Sequence, residues 1–563
     1  MFLSMVVAAA PPSLVGSEHP SDAAPASPEY LPEQDADATS LDLPEIPEYQ
    51  PLFQKVEPQF VLQEVNFNGN TVFSDAKLLE IVGPFLYKQM SVSDLEEMRY
   101  QLTRFYVDQG YVNSGAVIEP GQSLDDGEVT FSIREGTLNE VAISGTGWLR
   151  KSYVRQRLWP DADKPFNTEQ LQERFQMLLQ DPLIERMNGR IRPGIEPGSS
   201  RLELDVDRAR PYFFSIGADN HRPPSTGAER LSLDGELRNL TGFGDALSLG
   251  FGFSRGADEL AVGYSLPITA QDTRLTFGYA KSENSVLEEP LDELDIDSKF
   301  RSFDVGLTHP VIQTLRRRFE LGLTFSRRRV ETFLEGESFP FSPPAPEEGD
   351  DNAGESLVSV LRFSQDWVNR GAQQALALRS TFNFGIHALN ATSHAHAPDG
   401  QFFAWLGQMQ YSRQMPVGGG RVILRGDVQL ANDELMPLER IAVGGARTVR
   451  GYRENELVRD NGYVLSLEWR QPILYGEWLG WSQAPASPLL QLAPFMDYGS
   501  AWNRDQPWHR DHLHAVGLGV LATPHQLVYG ELYWGYAIAA PADKSEYDLQ
   551  DDGIHFQVTL NLL

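Results

Sequence analysis

Apolar residues recur along this chain at two different spacings, and the change from one to the other falls near residue 210. From Pro58 to Gly136 the pattern mixes short alternating runs with helical ones. Val65 and Phe67 alternate and stop at Gly69-Asn70, a turn signal. Ser74 is placed to cap a helix carrying Leu78, Leu79 and Val82, and Ser93 with Glu96 reads as a capping box. The helix behind that box sets Leu95, Met98, Leu102, Phe105 and Tyr106 on one face, and Gly110 ends it. A strand over Val112 to Ile118, an Asp125-Asp126-Gly127 turn and the alternating Val129, Phe131 and Ile133 follow. The predicted order is β-α-α-β-β.

Residues 137–209 repeat that order. Val141 and Ile143 mark a strand, and a short helix is predicted over about Arg150 to Leu158. Asn167 with Gln170 caps a helix bearing Leu171, Phe175, Leu178 and Leu179. Two strands close the unit, the second with Leu202, Leu204 and Val206. Two copies of one small α/β unit in tandem are an internal repeat.

After Arg210 the period becomes two and stays so. Sixteen alternating segments begin near Tyr212, Leu231, Leu247, Leu260, Leu275, Phe303, Phe319, Leu357, Leu376, Phe403, Val422, Tyr463, Leu490, Val516, Val528 and Ile554. Phe319, Leu321, Leu323 and Phe325 exemplify the set expected to face lipid, as do Ile554, Phe556, Val558, Leu560 and Leu562. A barrel with lipid outside and water inside requires this alternation. Linkers alternate too. Thr241 to Gly244, Thr269 to Asp272, Pro416 to Gly420 and Thr523 to His525 are short. Ser282 to Ser298, Leu334 to Gly354, Ala388 to Gln401, Ala431 to Asn461 and Ala539 to Asp552 are long and polar. Short turns on one rim and long loops on the other are the outer-membrane arrangement. Tyr475 to Ser487, a long turn, and Arg255 to Asp258, a short loop, depart from it.

Composition narrows the classes further. No stretch approaches 18 uninterrupted apolar residues, so membrane crossing would have to use a closed barrel. The formal net charge of -31 is a poor match for nucleic acid, whose phosphates call for cations. With no cysteine, disulfides, zinc-thiolate sites and cysteine nucleophiles are excluded. Residues 1–16 open with Met1 to Ala10, an apolar run like the core of an export signal that lacks its basic start. Residues 17–57 are acidic, rich in proline and poor in bulky apolar groups, and read as a flexible linker. The expected domains are therefore 58–136, 137–209 and a barrel over 210–563.

Catalytic patterns are scarce. The chain has no Walker loop, no H-E-x-x-H and no G-x-S-x-G, and it is not read as an enzyme. His394 and His396 read as solvated loop histidines, with weak metal binding as the alternative. Arg316-Arg317-Arg318 and Arg327-Arg328-Arg329 flank one strand and suit either headgroups or a solvated rim. No cofactor or metal is implied.

The longest interstrand connection, residues 432–461, which is the sixth loop of the long-loop rim, is different. It carries Gly444-Gly445 and then Val449-Arg450-Gly451-Tyr452-Arg453-Glu454, while the thirteenth strand carries Phe495-Met496-Asp497-Tyr498-Gly499. V-R-G-Y in loop six, F-x-D-x-G on strand thirteen, sixteen strands and two leading repeats resemble the two-partner secretion transporters. These are the hemolysin activation/secretion proteins of the wider BamA-like superfamily. The resemblance spans residues 58–563 and implies an outer-membrane β-barrel behind two periplasmic polypeptide-transport-associated (POTRA) domains. It implies that loop six folds into the lumen with Arg450 paired to Asp497, a pairing that suits a planar guanidinium in a confined wall. Val449, Gly451 and Tyr452 complete the loop motif, and Phe495 and Gly499 the wall motif. Gly451 would permit close backbone packing.

The function this implies is secretion of one large exoprotein, an adhesin, hemolysin or similar cargo that is unfolded in the periplasm. The POTRA units would capture it by strand addition. Outer-membrane lipid and the barrel-assembly machinery are the other expected partners, nucleic acid is not one, and the chain is expected to act as a monomer. The resemblance also implies an N-terminal plug helix and a C-terminal aromatic residue. The prolines of residues 17–57 argue against a long helix, and the last strand ends Asn561-Leu562-Leu563. The rivals are a barrel-assembly factor of the same superfamily, against which two POTRA units argue, and a passive porin, which would lack tandem α/β domains and this loop. A TonB-type receptor would need an N-terminal plug domain.

Overall fold

The computed structural model describes residues 30, 41–42, 60–159, 164–196, 198–341, 354–393, 398–416, 418–475, 488–525, 527–539 and 546–562. The expected export signal, nearly all of the linker, His394, His396 and the long turn after Tyr475 lie outside them. Two compact units emerge, one over Asp35–Ala209 and one joining Met1–Gln34 to Arg210–Leu563.

The first unit holds the two α/β repeats. In the first repeat, strands Glu64–Asn68 and Glu128–Arg134 pair in parallel, Gly115–Ile118 pairs antiparallel with the other edge of Glu128–Arg134, and helices Asp75–Val82 and Val92–Asp108 accompany the sheet. Leu102 and Tyr106 are fully buried, and Phe105 packs half-buried at the margin. Two caps differ from the sequence reading. Ser74 precedes its helix without a side-chain bond, and the capping box is Ser91 with Asp94, not Ser93 with Glu96. The cause is the Gln89–Met90 strand, which pairs with Phe60–Val61 and keeps the backbone extended up to Ser91.

The second repeat has strand Thr137–Ser144, helices Lys151–Leu158 and Thr168–Leu179, and strands Ile184–Pro193 and Ser199–Arg208. Asn167 caps as expected, accepting from the Glu169 and Gln170 amides. Phe175 and Leu178 sit in its core. Leu41–Asp42 pairs in parallel with the outer edge of Ile184–Pro193.

The second unit is a closed antiparallel barrel of sixteen strands, as the alternation predicted. They are β1 Tyr212–Asp219, β2 Arg230–Arg238, β3 Ala246–Phe253, β4 Ala257–Pro267, β5 Arg274–Ser285, β6 Ile296–Gln313, β7 Arg317–Leu334 and β8 Glu355–Arg370. The rest are β9 Gln374–Gly385, β10 Phe403–Gln414, β11 Arg421–Ala431, β12 Asn461–Tyr475, β13 Pro488–Trp502, β14 Asp511–His525, β15 Val528–Ala537 and β16 Ile554–Asn561. β1 closes on β16 over Ser215↔Asn561 to Asp219↔Gln557. A two-residue strand, Glu337–Ser338, folds back on the end of β7. No described helix is long and apolar enough to cross a membrane.

Parity decides which residues face which solvent. On β7, Leu323 is exposed on the outer face, whereas Ser326 is buried inside and bonds to Asp304 and Arg362. Phe319 meets Trp367 at a tilt across the outer face of β7 and β8, with ring centroids 5.9 Å apart. Inside, Tyr30 of the N-terminal segment meets the wall: its hydroxyl lies 2.6 Å from Ser412 Oγ, and Arg421 stands over its ring.

Candidate functional site

Loop 6, residues 432–460, is the connection between β11 and β12. Its two arms, Ile441–Val443 and Leu457–Arg459, form an antiparallel ribbon. The ribbon carries apolar side chains, and Ile441, Val443, Val449 and Tyr452 bury themselves against Val464, Ala501, Leu513 and Ala515 of β12, β13 and β14. An external loop of this length would normally be solvated. This one turns inward because its apolar residues find an apolar strip on the inner wall.

The tip then meets the wall motif. Arg450 Nε donates to Asp497 Oδ2 at 2.8 Å and Nη2 to Oδ1 at 2.9 Å, a two-pronged contact. The Arg450 backbone amide adds a third bond to the same carboxylate at 3.1 Å. Nη1 donates to Glu468 on β12, and Nη2 also reaches Ser466 Oγ at 3.1 Å. The guanidinium lies over the Phe495 ring, 3.7 Å from its centroid, with Tyr533 on a second side at 4.7 Å. Arg450, Asp497 and Glu468 are all at most 3% exposed. Arg470 Nε donates to Glu468 Oε1 at 2.5 Å, so two arginines face two carboxylates.

Each remaining motif residue has a steric or bonding reason. A Cβ on Gly499 would stand 2.5 Å from Val443 and 2.8 Å from Val449, so the glycine of F-x-D-x-G makes the room in which loop 6 docks. Gly451 has φ +99°, and a Cβ there would press on the Gly535 backbone at 3.0 Å. Its amide donates to His555 Nε2 on β16 at 3.3 Å. The Tyr452 hydroxyl lies 3.0 Å from the carbonyls of His514 and Ala539 and accepts from the Ala539 amide. Phe495 has its place because Gly517 leaves it open: a Cβ there would lie 2.4 Å from the ring.

A second anchor holds the base of the loop. Glu439 is buried and takes two bonds from Arg362 of β8, at 2.7 and 2.9 Å, while Arg328 of β7 lies within 3.9 Å. Arg328 of the second basic run thus faces the lumen and loop 6, and Arg329 pairs with Glu331 and Glu355.

Sequence reasoning named Arg450 and Asp497 but missed Glu468, Tyr533, Arg470, Glu439, Arg362 and His555. Parity offered one clue: Ser466, Glu468 and Arg470 are polar residues on consecutive inward positions of a strand whose outward positions, Leu465, Leu467 and Trp469, are apolar. Nothing local indicated that Glu439 and Arg362 would meet. Among the described residues no cluster of three or more His, Cys, Asp or Glu could hold a metal.

Comparison with known proteins places this geometry. The profile of the haemolysin secretion/activation protein family ShlB/FhaC/HecB matches residues 198–522, and that of the ShlB-type POTRA domain matches residues 60–136. The outer membrane transporter CdiB of Dickeya dadantii is 21% identical over 464 residues, covering 80% of this chain and 77% of its own. The heme/hemopexin transporter protein HuxB of Haemophilus influenzae (strain 86-028NP) is 22% identical, covering 74% and 73%. The solved structure of CdiB from Escherichia coli superposes with a TM-score of 0.68 at 19% identity, covering 92% of this chain and 93% of the other, and shares its fold. The chain belongs to the haemolysin secretion/activation protein family ShlB/FhaC/HecB, outer-membrane transporters of two-partner secretion.

Proposed function

We propose that this chain exports one large exoprotein, unfolded, through its own barrel, with loop 6 organising the pore and the POTRA units receiving the cargo. The observation that carries the reading is the docking of loop 6 on the inner wall through Arg450, Asp497 and Glu468. A pore that must pass a polypeptide needs an interior whose geometry is fixed, and a desolvated ion pair on a long loop fixes it in one register.

Capture proceeds by strand addition. The outer edge of Ile184–Pro193 is the favoured place, since an extended segment, Leu41–Asp42, already pairs there and the edge accepts a parallel strand. Cargo and linker would compete for it. No nucleotide is consumed in this scheme, and folding of the cargo outside draws it through. The chain works as a monomer in outer-membrane lipid, inserted by the barrel-assembly machinery. The secretion named in the matching family's description supports this direction of work.

The test is photo-crosslinking in cells, with p-benzoyl-phenylalanine placed at Arg190 on that edge and, as a control, at Arg174 on the helix. A crosslinked product from position 190 that contains a large exoprotein, absent from position 174, supports the reading. Equal or absent crosslinks at both positions overturn strand capture at this edge.

A further inference from the structure

Loop 6 carries a second arginine three residues beyond Arg450, and it points to different partners. Arg453 Nε donates to Asp551 Oδ1 at 2.6 Å and Nη2 to Oδ2 at 2.7 Å. Nη1 donates to Glu288 Oε1 at 2.6 Å, and Nη2 also reaches the Glu546 carbonyl at 2.6 Å. Glu288 belongs to the loop between β5 and β6, and Asp551 and Glu546 to the loop between β15 and β16. One side chain therefore ties three external loops together.

Neighbouring contacts extend the tie. The Glu454 amide donates to Gln550 Oε1, and Gln550 Nε2 donates to the carbonyls of Asn220 and Arg222 in the loop after β1. The Leu287 amide donates to Ser225 of that same loop. Four of the external loops thus form one connected cap, and two ion pairs that join loop 6 to other loops, with Glu288 and with Asp551, meet at Arg453.

The two arginines differ in what surrounds them. Asp497 and Glu468 side chains are at most 1% exposed, whereas those of Glu288 and Asp551 are 22% and 20% exposed. A carboxylate that still touches water can be re-solvated when its partner leaves, so parting it costs less than parting a fully buried one. The Arg453 contacts are therefore the less costly of the two to part. The Asp551 and Glu288 carboxylates hold the Arg453 guanidinium above its usual value, so it remains charged throughout.

We propose that Arg453, clamped between Glu288 and Asp551, is the latch of the barrel's external mouth, and that its release is a required step of cargo exit. It is a positioning residue for transport, distinct from the Arg450 contact that fixes the loop to the wall.

The chain has no cysteine, so introduced thiols are unique. The test uses the full-length protein in planar bilayers with potassium chloride, and the same variants in cells. Glu288→Gln with Asp551→Asn removes both charges while keeping shape. It should raise the open fraction roughly fivefold to tenfold, as expected for losing half-buried ion pairs, with the folded barrel unchanged by heat-modifiable gel mobility. Arg453→Glu should open the mouth in the same way, and Arg453→Glu combined with both Glu288→Arg and Asp551→Arg should close it again. Arg453→Cys with Asp551→Cys, bridged by a thiol-cleavable bifunctional reagent, should stop export of the host's exoprotein and resume it on reduction. An unchanged open fraction in the Glu288→Gln, Asp551→Asn protein overturns the latch. Normal export by the bridged protein overturns the requirement for release.

Discussion

Removing the Asp497 carboxylate should abolish export while leaving the barrel in the membrane. In the native protein that carboxylate accepts three bonds from Arg450, two from the guanidinium and one from its backbone amide. Asp497→Ala leaves Arg450 bonded to Glu468 and the Ser466 hydroxyl, and Glu468 already receives Arg470. Arg450 and Arg470 then share the Glu468 carboxylate, in a region where Arg450 is 3% exposed. Breaking a buried pair by deleting one partner costs about 3–5 kcal/mol. At about 1.4 kcal/mol per decade, the docked state of loop 6 loses roughly two to three and a half decades of population advantage. Water entering the lumen lowers that figure. The wall itself keeps its hydrogen bonds: β13 pairs with β12 and β14 through backbone groups that the substitution leaves in place. Asp497→Asn keeps the shape and one acceptor, and should lose less than Asp497→Ala. The assay has three readouts. Heat-modifiable gel mobility reports the folded barrel, exoprotein in the medium or on the surface reports export, and labelling of a lone cysteine at Val449, fully buried in the docked loop, reports undocking. A double-mutant cycle with Arg450→Ala should show that the pair loses no more than either single variant. Independent, multiplying losses, or normal export by Asp497→Ala, would refute the coupling.

Three further outcomes follow from the same structure. Gly499→Val should undock loop 6 by volume alone, since even a Cβ there stands 2.5 Å from Val443; Val449→Cys labelling should rise, and unchanged labelling would contradict the packing. Burial holds the His221 imidazole, in the loop after β1, below its usual value. Its folded form therefore binds fewer protons than the unfolded chain, so its stabilisation is complete above about pH 6.5 and is lost as pH falls below that; in thermal unfolding the gap should shift in favour of His221→Gln toward acid, and a gap that ignores pH would count against it. Ser91→Ala should destabilise the first repeat by about 1 kcal/mol through loss of the capping box, read as faster amide exchange in Val92–Asp108, with Ser93→Ala as the silent control.

The parts of this architecture legible in the sequence are those enforced by a repeated solvent boundary. Lipid on one face and water on the other impose period two on every strand, so Leu321, Leu323 and Phe325 could be assigned an outward side without coordinates. The helices of the repeats were equally readable from Leu95, Met98 and Leu102. Boundaries were less so. Ser91 and Ser93 each precede an acidic residue by three positions, and only the pairing of Gln89–Met90 with Phe60–Val61 decides between them. Arg450 and Asp497 stood out through their motifs. Glu468 did not, because one acidic residue at an inward position resembles any lumen charge. The Arg453 contacts were the least readable: Glu288 lies 165 residues away and Asp551 98, and nothing in either loop's own sequence marks it as a partner.

The most direct test of export as the chain's work is deletion of its gene in the native host, followed by quantitative mass spectrometry of medium, surface and periplasm. Loss of one large exoprotein from the outside, with its precursor or fragments rising in the periplasm and other outer-membrane barrels unchanged, is the predicted result. A general fall in outer-membrane barrels would make this an assembly factor, and an unaltered exoproteome with impaired uptake of small solutes would make it a porin; either would contradict the account.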